Sequence, residues 1–549
     1  MTKPLMSAFR GTCGWMRRLR RCVSLFCVWA LLLAGCGAPD SPARLGESNG
    51  EPGGVHLHLK LGERVPILTQ VVPEKGGWLL VDRLGDPLDG LELEVPAGSH
   101  DGPVTYSVSY RPIARDSDDS GMVLLSPLIQ IDNGGQVAEA GVILKIPVYM
   151  YWRHFPAAWA WDEATGELEP LPVIQIEKST VNIAARTLHQ IVVTSHPYEP
   201  LEALEVSTSF DPREDMWPFA NTATWGAPVD LAWGMSAGAL MAALDAETQP
   251  EAPAAATRYA AGPGEGVADP MIWQDDAQGL AIVTALQQVH DRARQGRSYD
   301  PLYELTRELA GSFHVRSPRF TIDQITFYDL KLALAVTGEP QLVNASVAGG
   351  ELGTTLLAYG ARGNSILVAD PNDDPATAPE RLLTLQYGRF HPYVSSAPGV
   401  DGAPEERTYT EFSFVGQGAM SPWEEVQGAW AAGEAGDQGV LPAFTLTAEE
   451  RDGAGGLVRE SPLEPGGALS TAQPALTVRA STESDAPLRT TLWTAQAGAG
   501  GQPSLSLQPG EQPVGVLVEG LARWTDAAGV EQSGWRWLGF RWIRVAYTP

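Results

Sequence analysis

The thiol is the side chain whose distribution says most about the chemistry open to this chain. The 549 residues include four cysteines, Cys13, Cys22, Cys27 and Cys36, and all four lie within the first 36 residues. Beyond Cys36 the chain can therefore form no disulfide, offers no thiolate nucleophile and ligates no metal through sulfur. Nucleophilic chemistry in the rest of the chain has to use another side chain.

Ser236 is the alternative nucleophile. Residues 234–238 read Gly-Met-Ser-Ala-Gly, which fits the G-x-S-x-G nucleophile elbow and lies between an apolar run and a helical stretch. Asp370 and His391 follow in the order acid, then base. The pattern is short, however, no Gly-rich oxyanion loop precedes it, and regular alternation of strands and helices is missing. Hydrolysis by Ser236 is thus an alternative to a buried, helix-facing role for this serine.

Motifs for metals and cofactors are weak. Residues 116–121 (DSDDSG) match the first half of a calcium loop, but the twelfth position, which needs a bidentate glutamate, is Pro127. His56 and His58 share one face of a predicted strand and are more simply explained as exposed residues. No Walker or dinucleotide fingerprint is present. We therefore expect no bound metal and no cofactor.

The charge balance excludes one class of partner. The chain has 38 basic and 66 acidic residues, a formal net charge of −28. An acidic chain repels phosphate, so nucleic acid and anionic membrane faces are unfavourable ligands. Hydrophobic residues make up 44% of the chain, which is ample for several buried cores.

The first 36 residues have the pattern of a leader. Six basic residues and no acidic residue precede a 13-residue apolar stretch, 23–35, which is too short to span a bilayer. The stretch ends Leu-Ala-Gly-Cys, which resembles the lipobox of bacterial lipoproteins. That resemblance implies a signal peptide at 1–35, a lipid on Cys36 and attachment to the bacterial cell envelope. Gly37 favours the outer membrane.

Loss of the leader would change the chain that folds. The mature chain keeps about 32 bases against 66 acids, a charge of −34. Residues 36–54 are rich in Gly, Pro and Ser, as expected of a lipidated cysteine followed by a flexible tether. No later segment is long and apolar enough to cross a membrane.

Residues 55–200 read as an all-β domain. Apolar and polar residues alternate from 55 to 61, the period of a half-buried strand, and clusters of turn residues separate the later strand-like runs. The order of Val95-Pro96-Ala97-Gly98, then residues 159–166 (WAWDEATG), then residues 188–193 resembles the β-domain shared by ankyrins and netrin receptors. The resemblance implies an interaction module.

Residues 205–420 show helical periods for the first time. One helix is predicted through 280–289, a second through 302–309, and a third that Asp323 could cap and Gly338 would end. Strands are then predicted at 342–345, 356–359 and 366–369. Helices first and strands later indicate an α+β domain.

The segment GAPVDLAWGMS, residues 226–236, resembles the start of the catalytic helix in papain-like cysteine peptidases, where the pattern is C-W/F-G-M-S/A. Small residues from Ala237 to Ala243 supply a face for close helix packing. Residues 353–360 (GTTLLAYG) resemble the family's G-H-A-x-x-A-Y-G, and residues 370–372 its D-P-N. The resemblance covers about 200 residues and implies a papain-like α+β fold.

Departures from the family pattern decide what it implies about activity. Ala232 stands at the nucleophile position and Thr354 at the base position, while Asp370 and Asn372 keep the orienting acid and amide. A methyl group cannot attack a carbonyl, and a threonine hydroxyl does not accept a proton near neutral pH. Cysteine-type catalysis needs both groups. The resemblance therefore implies a pseudoenzyme with no catalytic residue.

Residues 435–549 return to short strand-like runs with Gly/Pro-rich turns, which suggests an immunoglobulin-like β-sandwich.

Three functions remain from the sequence. The first is a cell-envelope lipoprotein whose papain-like domain binds a peptide or protein without cleaving it. The second is the hydrolase at Ser236, and the third is a structural surface protein with no groove ligand.

Overall fold

A computed structural model describes most of the chain after residue 53. The described residues are 54–114, 122–219, 221–248, 254, 258–259, 277–296, 319–347, 353–375, 377–398, 404–436, 440–464, 467–483, 487–494, 502–525 and 529–549. They belong to one compact unit, residues 45–549. The predicted signal peptide, Cys36, the tether up to residue 53, the calcium-loop match at 116–121 and the helix at 302–309 lie outside the described residues.

The first region consists of two antiparallel sheets. One has the strand order β1-β4-β6-β12-β8-β9, with β5 on β12, and the other β10-β11-β7-β3-β2. The strands are β1 Val65–Val72, β2 Gly77–Leu80, β3 Glu92–Val95, β4 Val104–Arg111, β5 Val123–Leu124, β6 Leu128–Asp132, β7 Val142–Pro147, β8 His154–Trp161, β9 Leu168–Leu171, β10 Val173–Ile176, β11 Thr180–Ala185 and β12 Gln190–Pro197.

Two tryptophans explain the WAWDEATG motif. In β8, the Trp159 indole N–H donates to the Thr194 hydroxyl (2.7 Å), and the Trp161 indole N–H donates to the Leu57 carbonyl (2.7 Å). The second bond holds the chain before β1 against the sandwich. Residues 55–61 nevertheless form no strand, because only Leu61 pairs, as an isolated bridge to Ile113. The alternating pattern predicted the burial of Leu57 but not the missing ladder.

The second region places helices against a seven-stranded sheet. Its order is β18-β17-β16-β15-β14-β21, with β13 on β15, and β19 pairs separately with β20. The helices are α1 Tyr198–Ala203, α2 Pro212–Asp215, α3 Ala232–Thr248, α4 Ala277–Gly296, α5 Ile322–Thr337, α6 Gln417–Met420 and α7 Trp423–Glu434. The strands are β13 Val206–Ser207, β14 Gln341–Ser346, β15 Gly353–Arg362, β16 Ser365–Ala369, β17 Arg381–Gln386, β18 Arg389–Phe390, β19 Tyr393–Pro398, β20 Pro404–Tyr409 and β21 Glu411–Val415.

Helix α5 begins slightly earlier than the sequence suggested. Thr321 is the N-cap and forms a capping box with Gln324, and Gly338 ends the helix in the left-handed conformation, with φ of 73°. Asp323 is inside the first turn and accepts a hydrogen bond from the Phe390 N–H (2.9 Å). The predicted C-terminal glycine is therefore right, and the predicted cap residue is wrong.

The same helix joins the first two regions. Asp329 is buried, and its carboxylate accepts a hydrogen bond from the Val173 N–H at the start of β10 (2.8 Å). Lys331 is also buried and donates to the carbonyls of Leu201 (3.1 Å), Glu202 (2.9 Å) and Gly363 (2.9 Å). Burial lowers the pKa of Lys331 to about 8 and raises that of Asp329. One hydrophobic core runs through both regions.

The last region is a sandwich of two four-stranded sheets with its own core. The sheet orders are β23-β22-β25-β27 and β24-β29-β28-β26. The strands are β22 Phe444–Arg451, β23 Leu457–Leu463, β24 Ala468–Thr471, β25 Ala475–Thr482, β26 Leu488–Thr494, β27 Ser504–Ser506, β28 Gly510–Thr525 and β29 Glu531–Tyr547. The chain is thus a β-rich multidomain protein with few helices. Among the helices within the described ranges, none combines the length and apolarity needed to span a bilayer.

Close packing of α3 against α4 depends on glycine. A Cβ on Gly234 would overlap the Val283 carbonyl oxygen of α4, and a Cβ on Gly238 would lie 2.7 Å from the Trp217 ring. The backbones of the two helices therefore approach more closely than any larger side chain would allow.

We expect Gly234→Ala to lower the free energy of unfolding by about 3 kcal/mol, because the methyl group has no space beside backbone atoms. Gly428→Ala is the matched control, since Gly428 lies within α7 and a Cβ added there would meet nothing within 4 Å. That control should be neutral or stabilising by up to about 1 kcal/mol. Urea unfolding of both variants measures the difference. Equal midpoints for the two variants would contradict the close packing.

Candidate functional site

Three side-chain oxygen atoms accept hydrogen bonds from backbone N–H groups at the start of α3. The Asn221 amide oxygen accepts the Leu231 N–H (2.8 Å), and the Asp230 carboxylate accepts the Ala232 N–H (3.0 Å). Gln287 of α4 accepts the Gly234 N–H (2.9 Å). The N–H groups of a first helical turn have no partners within the helix and favour an anion. Here the protein's own oxygen atoms accept the N–H groups of Ala232 and Gly234 and that of Leu231 just before the helix.

Thr354, Asp370 and Asn372 lie together on the sheet beside this helix. Thr354 is the second residue of β15, Asp370 follows β16 directly, and Asn372 is in the turn after it. The Asn372 amide N–H₂ donates to the Asp370 carboxylate (2.8 Å) and to the Ser395 hydroxyl (3.1 Å), and reaches the Thr354 hydroxyl at 3.5 Å. The adjacent strands β15 and β16 and the strand β19 thus contribute to one hydrogen-bonded group.

Asn221 connects this group to the helix. Its amide N–H₂ donates to the Asn372 side-chain oxygen (2.8 Å), while its own oxygen accepts the Leu231 N–H. A chain of hydrogen bonds therefore runs from Leu231, the residue before Ala232, to Asp370 and Ser395, and the Thr354 hydroxyl lies at its edge, 3.5 Å from the Asn372 amide nitrogen. The sequence did not single out Asn221, because it lies 10 residues before Leu231 in a turn-rich stretch and belongs to no motif.

Asp370 sits in a dry environment. Its second oxygen accepts the Tyr393 hydroxyl (2.7 Å). Burial raises the pKa of Asp370, and hydrogen bonds from Ser395, Tyr393 and the Asn372 backbone N–H act in the opposite direction. Burial and the neighbouring Asp370 also raise the pKa of Tyr393 well above its usual range. The tyrosine therefore remains a proton donor to the carboxylate.

The β19–β20 pair covers the group. Tyr393 pairs with Tyr409 and Ser395 with Arg407, so these four side chains share one face of the pair. Burial raises the pKa of Tyr409 to about 12, and the charges of Asp370 and Asp230 act in the same direction. Tyr409 therefore lies within electrostatic range of both carboxylates.

Little of the site is open to solvent. The exposed fraction is 3% for Ala232, 6% for Thr354 and 4% for Asp370. These three residues are therefore largely shielded from solvent, although Asp370 also lines a cavity that Asp211, Tyr359 and Arg381 border.

The last strand of the sandwich fixes the loop that precedes α3. The Trp225 N–H donates to the Trp537 carbonyl (2.9 Å), and the Trp537 N–H donates to the Ala223 carbonyl (3.2 Å). The Arg536 guanidinium donates to the Pro228 carbonyl (2.6 Å). Part of the aromatic C-terminal stretch therefore contacts the candidate site across the domain boundary.

The hydrolase candidates are arranged differently. Ser236 is completely buried in the second turn of α3, and its hydroxyl donates to the Thr355 carbonyl (2.7 Å). A nucleophile elbow instead exposes its serine at a strand-to-helix turn. His391 is exposed, and its ring nitrogen contacts the Gln386 side-chain oxygen. Ser236, Asp370 and His391 each bond to other groups, so the structure gives the proposed triad no support.

Metal ligands do not converge within the described part of the chain, where no group of three or more His, Asp or Glu side chains could hold an ion. His56 is exposed, and its ring contacts the Thr165 carbonyl (3.2 Å). His58 lies beside Gly166, where a Cβ would approach its ring to 3.1 Å. Both histidines therefore pack against the turn after β8.

No protein-family model matches this chain, and a search of curated proteins also finds no match. The function is therefore argued from the residues and their geometry.

Asn372→Asp tests whether the hydrogen-bonded group around Asn372 is shielded from solvent, as its contacts indicate. The change removes the donors to Asp370 and Ser395 and puts a second carboxylate beside a buried one. Repulsion then raises the pKa of the pair above the value of about 3.9 in the unfolded chain, so the folded state holds more protons and stability falls as pH rises. We expect a loss of about 3–5 kcal/mol at pH 7.5 and a smaller loss at pH 4.5, measured by urea unfolding.

Asn372→Ala is the control for this prediction. It removes the same donors without adding a charge, so its effect should change less between the two pH values. If Asn372→Asp costs no more than Asn372→Ala at pH 7.5, the group is open to solvent and the interpretation is wrong.

Proposed function

We propose that this protein is a cell-envelope lipoprotein whose middle region is a catalytically inactive papain-like domain that binds a peptide or protein segment without cleaving it. The hydrogen-bonded chain from Leu231 through Asn221 and Asn372 to Thr354 carries the proposal. It links the residue before the assigned nucleophile position to the assigned base and orienting positions. Antiparallel pairing of β15 with β16 already brings Thr354 and Asp370 together, so the support comes from the link to the start of α3.

The absence of catalysis in this proposal follows from the side chains at those positions. Ala232 offers no nucleophile. The Thr354 hydroxyl lies 3.5 Å from the Asn372 amide nitrogen, and a threonine hydroxyl does not accept a proton near neutral pH. The helix N-terminus, which would stabilise a thiolate in an active enzyme, is taken up by Asn221, Asp230 and Gln287. A site with these three features retains the framework of a peptidase and none of its reacting groups.

The flanking regions suit a binding protein. The proposal keeps the first sandwich as a β-domain of the ankyrin and netrin-receptor type and the last as an immunoglobulin-like sandwich. The leader and Cys36 support a lipid anchor in the bacterial envelope, and Gly37 favours the outer membrane. The contacts from Trp537 and Arg536 to residues 223–228 support a role for the last sandwich in shaping the inactive site.

A structural surface protein with no groove ligand is the second candidate. One observation favours it: the low exposure of Ala232, Thr354 and Asp370 beneath Tyr393, Ser395 and Tyr409. In this case the peptidase framework would serve only to join the two sandwiches.

A thiol titration tests the assignment of the two lost positions. Residues 45–549 contain no cysteine, so Ala232→Cys introduces a single thiol whose pKa can be followed by thiolate absorbance even when buried. Adding Thr354→His should lower that pKa by at least about one unit, because an imidazolium beside the helix N-terminus stabilises the thiolate.

Thr355→His is the matched control. Thr355 is the next residue of β15, its hydroxyl donates to the Asn344 side chain, and successive strand residues face opposite ways. A pKa that responds equally to histidine at 354 and at 355, or to neither, would contradict the papain-like assignment.

A peptide selection separates binding from a purely structural role. A phage-displayed random peptide library is selected on residues 45–549 and then tested against Thr354→Arg and Tyr387→Arg. Because Thr354 is buried, urea unfolding must first show that Thr354→Arg is folded. Peptides that bind the wild type, lose at least about tenfold affinity with Thr354→Arg and ignore the change at exposed Tyr387 support peptide binding at this site. If no such peptides are recovered, or if they are indifferent to Thr354→Arg, the structural role is correct.

A further inference from the structure

An exposed aromatic loop lies at one end of the first sandwich. Residues 148–153, here called the aromatic loop, connect β7 to β8 and read Val-Tyr-Met-Tyr-Trp-Arg. The exposed fraction is 76% for Tyr149, 44% for Tyr151 and 85% for Trp152. Rings this large are usually buried, and a cluster of exposed ones marks an interaction surface.

The loop is held in place rather than merely exposed. Arg153 adopts a left-handed backbone, with φ of 61°, and its carbonyl accepts the Tyr198 N–H (2.8 Å). Arg319 donates to the Tyr151 carbonyl (2.7 Å), and its guanidinium carbon lies 5.9 Å from the centre of the Trp152 ring. The Tyr149 and Tyr151 rings meet edge-on at 5.5 Å. These contacts orient the rings before any partner binds.

Cations surround the loop. Arg319 and Arg153 flank it, and Lys178 precedes Ser179, whose carbonyl accepts the Val148 N–H (2.9 Å). Glu199 pairs with Arg153 at 2.7 Å and offsets its charge, so Arg319 and Lys178 are the cations that remain to attract an anion. At physiological salt, charges more than about 8 Å away are largely screened, so these local cations decide what the loop attracts. The whole chain, with its net charge of −28, repels an anionic surface at long range, so any attraction has to come from the cations at this end.

We propose that the aromatic loop inserts into the interface of an anionic lipid bilayer and gives the protein a second membrane contact beside its lipid anchor. Trp and Tyr rings favour the boundary between headgroups and hydrocarbon, and arginine can bury its stem there while its charge stays near phosphate. Protruding rings suit a deformable surface, whereas a small ligand needs a concave pocket. This proposal rests on the proposed function in one respect: a lipid on Cys36 would keep a bilayer within reach of the loop.

The tether is long enough to permit this contact. The Val55 N–H bonds to the Val336 carbonyl at the end of α5, and Arg319 lies just before the start of the same helix. Its 16 residues span about 24 Å. The segment 37–54 can extend to about 60 Å, so the loop lies well inside the radius that an anchor at Cys36 allows.

Vesicle flotation of residues 45–549 tests the proposal without the leader and without the lipid on Cys36. We expect the protein to float with vesicles of phosphatidylglycerol and phosphatidylethanolamine more than with phosphatidylcholine alone. The double variant Tyr149→Ala and Trp152→Ala should reduce the partition coefficient about tenfold, because it removes the two most exposed rings. Arg319→Gln should reduce it about fivefold on anionic vesicles only, the effect of one cation near the surface.

Leu457→Ala is the control, because Leu457 is an apolar side chain of the last sandwich that is 51% exposed. It should bind vesicles as the wild type does, and urea unfolding checks that every variant remains folded. Absence of wild-type flotation, or flotation unaffected by loss of Tyr149 and Trp152, would overturn the proposal. Neither result depends on the thiol titration at residues 232 and 354, so the two proposals fail separately.

Discussion

The N–H groups at the start of α3 impose the requirement from which the candidate site follows. They need acceptors, and the chain supplies them through Asn221 and Asp230 of the preceding loop and Gln287 of α4. Asn221 can serve only because Asn372 holds its other end, and Asn372 in turn is held by Asp370 and Ser395. In a thiol enzyme this positive end would stabilise the reacting anion. Here the same electrostatic feature stabilises the fold, because the protein's own side chains accept these N–H groups.

Sequence patterns predicted which helices and strands form better than they predicted the partners of each backbone segment. The 280–289 periodicity predicted α4, and the strand-like runs after residue 340 predicted β14, β15 and β16, because burial on one face leaves a regular period. Residues 55–61 alternate in the same way but form no ladder, since their backbone bonds go to a turn and to the end of α5. Such partners depend on tertiary structure, and no local pattern encodes them.

The residues of the candidate site also differ in whether a sequence pattern marks them. Ala232, Thr354, Asp370 and Asn372 could be proposed because each belongs to a motif with an order along the chain. Asn221, Ser395 and Tyr393 could not, because each acts through one contact to a distant residue. The burial of Ser236 was foreseen as an alternative, since a small residue on a Gly/Ala-rich helix face suits close packing. The covering of the site by β19 and β20 had no sequence signal.

The bond between Arg536 and Pro228 has a consequence for the time course of synthesis. Its partners are 308 residues apart, and the neighbouring Trp537 contacts hold the same loop. Contacts of such high sequence separation form late, and domains generally fold as the ribosome releases them. Helix α3 and the sheet beside it can assemble while translation continues. The loop that leads into the helix acquires its final partners only when the last strand has emerged, so a prematurely terminated chain would present that loop unfinished to chaperones and proteases.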